Sequence, residues 1–234
     1  MAATFTALKR WTLRVHKWLA LAVGLQVLFW FASGLFFTLI PIERVRGEHL
    51  RVLPERVVVD VTAADFTVPA SPDFPFHTAS LSLLEGRPVW LMTGPEGRRL
   101  VDAGTGAVLS PLPEETARRL VLGAWVGRGE LVSLSRLDAH NAEYKGALPV
   151  WQARFEGRDD ANLYLDAVTG DVRAVRTPHW VAFDWLWGLH IMDWKNREVF
   201  TTWWMKLAAG AALLLTLAGF VLLGLRARQK ALLR

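Results

Sequence analysis

The sequence predicts an α+β membrane protein in which two transmembrane helices flank one extracytoplasmic domain made of two helix-plus-antiparallel-sheet units. Three observations lead there. Two long stretches carry no charge, basic residues gather on the outer side of each, and a strand–turn–strand pattern occurs twice between them.

Trp18–Ile40 is a run of 23 residues without a charge, ended by Pro41 and Glu43. At ~1.5 Å rise per residue it crosses a ~30 Å hydrocarbon layer with some tilt. Leu207–Leu225 gives 19 more uncharged residues between Lys206 and Arg226. The expected segments are therefore a basic N-terminus (1–17), a first span (18–40), an extracytoplasmic domain (41–177), a juxtamembrane amphipathic helix (178–200), a second span (201–225) and a basic tail (226–234). The first apolar run is longer than a signal-peptide core and no Ala-x-Ala-like site follows it, so it reads as an uncleaved anchor.

Charge sets the orientation. The formal net charge is +5, which by itself suggests an acidic partner such as nucleic acid. Yet Lys9, Arg10, Arg14, Lys17, Arg226, Arg228, Lys230 and Arg234 all lie outside the two spans. The region between holds 19 basic against 22 acidic residues. Such terminal basicity is a topology signal, not a nucleic-acid footprint, and it puts both termini in the cytoplasm. Nine of the 12 tryptophans lie in or beside the spans, as interfacial belts require. The expected location is a bacterial inner membrane with the main domain in the periplasm. The chain has no cysteine, which removes disulfides, thiolate metal sites, iron–sulfur ligation and a cysteine nucleophile.

In the domain, Arg56–Val61 reads as a strand and is followed by a loop containing Pro69, Pro72 and Pro75. Then the repeat begins. Asp102-Ala103-Gly104-Thr105-Gly106-Ala107-Val108 and Asp166-Ala167-Val168-Thr169-Gly170-Asp171-Val172 are the same turn, 64 residues apart. The Asp side chain accepts backbone N–H bonds ahead of it and the Gly supplies a positive φ. Alternation around the second copy separates Trp151, Ala153 and Phe155 from Val150, Gln152 and Arg154. A helix is expected after Pro113, with Glu114 and Glu115 at its positive end and Ala117, Leu120, Val121 and Ala124 as its apolar stripe. The first unit carries a much weaker helix pattern.

Trp151–Val175 resembles the closing strands of a PepSY domain. Phe183-Asp184-Trp185-Leu186-Trp187-Gly188-Leu189-His190-Ile191-Met192-Asp193-Trp194, followed by Arg197 and Phe200, resembles the juxtamembrane stretch of PepSY-associated transmembrane proteins. Arg14–Leu21 resembles the start of their first span. The resemblance implies a membrane-tethered periplasmic module. Larger four-span relatives resemble siderophore-iron reductases with b-type haem between histidines; this chain departs from them in having two spans. The PepSY name also belongs to metallopeptidase propeptides, where the domain inhibits the enzyme.

No hydrolase, phosphate-loop or dinucleotide motif is present, so at most an electron-transfer role is expected and no catalytic residue is assigned. Asp138-Ala139-His140 places an acid near a base with no nucleophile; His49 and His77 read as surface histidines. His16 stands two residues before the first span, where an imidazole either holds haem iron or touches headgroups. Thr177 as N-cap and Pro178 as first residue start a helix on which His179, Phe183, Leu186, His190, Asp193 and Arg197 share a stripe. His179 and His190 would stand ~16 Å apart along its axis, too far to hold one haem together. His190 is either a haem ligand or a partner of Asp193 or Asp184. Gly24, Ser33, Gly34, Gly210 and Gly219 let helices approach closely.

Two functions are expected from different classes. One is an accessory subunit of a membrane redox or iron-reduction system, with haem b at His16, His190 or His179, working as a homodimer or with a membrane or periplasmic redox partner. The other is a cofactor-free periplasmic module that inhibits a peptidase or scaffolds a complex.

Overall fold

The computed structural model describes residues 2–52 and 73–232; the strand expected at Arg56–Val61 lies outside them. The chain divides into two compact units, 1–41 with 182–234, and 42–181. The described architecture is α+β, with two antiparallel sheets and five helices.

The helical unit contains α1 (Ala2–Leu39) and α5 (Trp203–Leu232), which pack against each other. Ala20–Leu39 is the one helical segment among the described residues long and apolar enough to cross a bilayer; the apolar stretch Trp203–Leu217 is shorter. Along α1 the large apolar side chains point outward: Leu21, Leu28, Phe31, Leu35 and Leu39 are all exposed. Thr202 starts α5, its Oγ1 accepting the Met205 N–H at 3.3 Å.

The other unit opens with a short helix, α2 (Ile42–Val45), and a 3₁₀ turn at Glu48–Leu50. Its first sheet holds β1 (Thr78–Leu84), β2 (Arg87–Gly94) and β3 (Gly97–Asp102); its second holds β4 (Gly129–Leu137), β5 (Val150–Gly157), β6 (Ala161–Asp166) and β7 (Val172–Arg176), each in sequence order. Each strand pairs antiparallel with the next in sequence, so no crossover is needed, although β4 and β5 are joined by the longer segment 138–149.

Both repeated turns form by the expected mechanism. Asp102 Oδ1 accepts the N–H of Gly104 (3.0 Å) and Thr105 (2.8 Å), and Asp166 Oδ1 accepts those of Val168 (2.8 Å) and Thr169 (3.1 Å). Gly106 and Gly170 take φ of 72° and 77°. The helix count differs from expectation. Among the described residues the first sheet has no comparable helix of its own; α3 (Glu114–Ala124) serves both sheets. Its Ala117 and Val121 pack with Trp151, Ala153, Phe155, Leu163 and Leu165 of the second sheet. Its Leu120 also reaches the cluster of Val89, Leu100 and Leu112 beside the first. A stripe of Ala117, Leu120, Val121 and Ala124 is wide enough to touch two surfaces, so a second helix is not required to bury both.

An ionic clamp joins the sheets. Asp166, 1% exposed, receives Arg98 from β3 at 2.8 Å and Arg173 from β7 at 2.7 and 2.9 Å. Burial pushes its pKa up, but the hydrogen bonds from Arg173, Arg98 and the turn amides outweigh that and hold it below the ordinary value.

Candidate functional site

The LHIMDW stretch is organised around the end of α4 (Pro178–His190). Thr177 caps its start, accepting the Trp180 N–H at 3.2 Å. The helix stops at His190, short of the segment to 200 expected from the sequence, and is apolar around most of its circumference instead of amphipathic. Its end is a Schellman motif. Met192 takes φ 55°, the Asp193 N–H donates to Gly188 O at 3.1 Å, and the Met192 N–H to Leu189 O at 3.3 Å.

Beyond that stop the chain is tied down by charge. Asp193 accepts the N–H groups of Val199, Asn196 and Glu198 at 3.1–3.2 Å, and those bonds, Val199 first, lower its pKa. Arg197 pairs with Asp184 and lies so close to Gly188 that a Cβ there would come within 2.9 Å of its Cγ. Both carboxylates offered to His190 by sequence spacing are thus engaged elsewhere.

His190 turns instead to α1. Its carbonyl accepts the Trp30 Nε1–H at 2.8 Å, and its Nδ1 lies 2.8 Å from Ser33 Oγ. Ser33 is 1% exposed and its Oγ is 2.6 Å from Phe29 O and 3.2 Å from Trp30 O. The hydroxyl has one proton, and the short contact to Phe29 O consumes it. With that proton on Phe29 O, the Nδ1–H tautomer of His190 is the one that satisfies the contact, donating to Ser33 Oγ and leaving Nε2 its lone pair. Burial lowers the His190 pKa, which keeps the ring neutral near pH 7. Phe37 lies edge-on to the ring at 5.5 Å, and Trp187 is parallel to it at 6.3 Å. Beside Ser33, a Cβ added at Gly34 would meet nothing within 4 Å.

The other histidines are placed differently. His16 is part of α1, but its side chain lies outside the described residues. His179 stands in the first turn of α4, exposed, lining a cleft with Arg44, His49 and Arg158. His49 and His77 are exposed. Asp138 pairs with Arg136 at 2.9 Å while His140 Nε2 donates to Gly146 O at 2.9 Å, so these two form no acid–base pair. Among the described residues no three His, Asp or Glu side chains converge on a metal position. The roles of Ser33 and Trp30 were not read from the sequence; their signal is that Trp30, Ser33 and Phe37 follow i, i+3, i+7 on one helical face.

No family model matches the chain, and neither curated proteins nor solved structures yield a match.

Proposed function

We propose that this chain is a two-span, membrane-anchored accessory subunit of a redox or iron-reduction system, with both basic flanks cytoplasmic, the sheet domain periplasmic, and b-type haem held through His190 Nε2. The lipid reading draws on outward side chains such as Phe31, 74% exposed, and on Leu213, Leu214, Leu217 and Phe220 of α5. Water solvates such surfaces poorly and lipid solvates them well.

The observation that carries the haem reading is the proton count at Ser33. A metal-ligating histidine usually donates its second ring N–H to a neighbour, which fixes ring orientation and raises basicity. The 2.8 Å contact of His190 Nδ1 with Ser33 Oγ supports that arrangement, in which the Nδ1–H tautomer would leave Nε2 for iron. When bound, haem b supplies a one-electron couple. The residues of this chain orient the ring through Ser33, hold it neutral by burial, and offer an apolar wall in Phe37 and Trp187. Any second protein ligand to the haem would come from a second copy or from a redox partner.

Full-length protein purified after expression with haem supplied is expected to show a Soret band. His190→Ala abolishes it, His16→Ala and His179→Ala retain it, and Ser33→Ala weakens haem affinity about 10–100-fold, as loss of a second-sphere partner does. A colourless wild type, or a band that survives His190→Ala, removes this reading. The bonds that link His190 to Trp30 and Ser33 then favour the other: His190 locks α4 to α1, and the chain displays a cofactor-free periplasmic module for peptidase inhibition or scaffolding.

A further inference from the structure

We infer that the sheet-containing unit holds a phosphoanion site, occupied by the headgroup of an anionic phospholipid, in the cleft lined by Arg44, His49, Arg158 and His179. This rests on the membrane reading above and is independent of haem. The cleft has a volume of about 440 Å³, within the ~300–1,000 Å³ typical of small-ligand sites. Four separate segments build it: Arg44 from α2, His49 from the 3₁₀ turn, Arg158 from the β5–β6 turn, and His179 from the first turn of α4.

The charge pattern points to an anion. Arg128, Asp159 and Asp160 also line the cleft; Arg128 and Asp159 are paired with each other, Asp160 accepts one main-chain N–H, and Arg158 adds to the positive field on Asp159. Asp159 accepts the Arg128 main-chain N–H at 2.8 Å and its guanidinium at 2.9 and 3.3 Å, and Asp160 accepts the Gly157 N–H at 2.8 Å. The side chains of Arg44, His49, Arg158 and His179 have no hydrogen bond or ion pair among the described residues, and all four are exposed. Two guanidiniums and two imidazoles without a hydrogen-bond partner thus face a concavity that also holds the Arg128–Asp159 pair and the Asp160 carboxylate. A phosphate oxygen cluster matches those four side chains, since arginine forks onto phosphate bidentately.

The chain selects the source of that phosphate. Arg44 is five residues beyond Leu39, the end of the bilayer-length segment; at ~3.5 Å per residue it cannot stand more than ~18 Å from that end. If Ala20–Leu39 spans the bilayer, the headgroup layer lies within that reach, and at a surface rich in anionic phosphatidylglycerol each arginine contributes about five-fold to lipid retention.

The test uses the full chain in nanodiscs of phosphatidylcholine alone or mixed with phosphatidylglycerol, with lipid retained in detergent counted by native mass spectrometry. Wild type is expected to retain phosphatidylglycerol over phosphatidylcholine. The Arg44→Gln/Arg158→Gln double variant should lose that preference roughly 30-fold, while Arg118→Gln, on α3 outside the cleft, keeps it. Inorganic phosphate should compete with the retained lipid. Equal retention of both lipids, or a preference unchanged in a double variant that melts like wild type, overturns the site. Arginine-dependent phosphate binding without lipid retention overturns the lipid as its occupant. Carbonate extraction of the same membranes separates the two readings. If the protein washes off, the spanning reading fails and the lipid site falls with it; if it stays and shows no lipid preference, only the site falls.

Discussion

Asp102 and Asp166 stand at the same position of two copies of one turn, and their surroundings give them different work. Each spends Oδ1 on two turn amides. Asp166 alone is buried and spends Oδ2 on Arg98 and Arg173, which makes it the joint between the sheets. Removing one member of a buried ion pair strands the other charges and typically costs about 3–5 kcal/mol. Arg98 and Arg173 keep part of their surface in water, so Asp166→Asn should cost about 3 kcal/mol, at the lower end of that range. Asp102→Asn, which loses no ion pair, should cost under about 1 kcal/mol. Urea unfolding of the detergent-solubilised protein, followed by Trp fluorescence, checks both. The pH dependence has a definite sign. The folded Asp166 pKa lies below its unfolded value of about 3.9, so its contribution is complete above that value and is lost as pH falls through the folded pKa. The Asn variant should show a shallower acid limb than wild type, and identical acid limbs would remove Asp166 from this role.

At the scale of elements the two turns diverge again, through their glycines. Gly106 and Gly170 both have positive φ, where an L side chain costs about 1–2 kcal/mol. A Cβ at Gly106 would meet nothing, but at Gly170 it would come within 2.9 Å of Leu120 and 3.0 Å of Leu84. Gly106→Ala should therefore cost only the backbone penalty. Gly170→Ala should cost about 1–3 kcal/mol more from overpacking, a difference visible as a larger drop in melting temperature. Equal losses would mean that α3 does not press on the second turn. These turns, β5, β6 and the start of α4 were legible because their causes are local: an Asx acceptor, a glycine, period-2 alternation, and Thr177 before Pro178. The end of α4 was not. Its left-handed stop falls on Met192, where no glycine marks it, and the helical spacing of Asp193 and Arg197 continues past the stop. Nor could the partner of His190 be read, because Ser33 lies 157 residues away and nearer carboxylates offered a cheaper pairing on paper. The sharing of α3 between two sheets is likewise a tertiary fact; its stripe says that it is buried, not on how many surfaces.

At the scale of the whole molecule, the proposed two-span topology rests on the charge of the segments that flank the two apolar runs. One segment, Ala20–Leu39, has the length and apolarity to span, and α5 presents a shorter apolar stretch, Trp203–Leu217, among the described residues. The sequence continues without charge to Leu225 and then turns basic, so a second crossing would return the chain to the side where Lys9, Arg10, Arg14 and Lys17 already lie. A single crossing would leave Arg226, Arg228, Lys230 and Arg234 on the outer side, against the positive-inside bias. The absence of cysteine makes the choice directly measurable. Ser80→Cys, exposed on β1, and Gln229→Cys, in the basic segment after the second apolar run, each introduce one thiol into an otherwise thiol-free chain. In intact spheroplasts a membrane-impermeant maleimide should label position 80 and not position 229, and both should label after lysis. Labelling of 229 without lysis would reduce α5 to a surface helix and leave one span. Protection of 80 would turn the sheet unit inward, remove the periplasmic setting of any electron-transfer role, and put the cleft arginines beside the opposite leaflet.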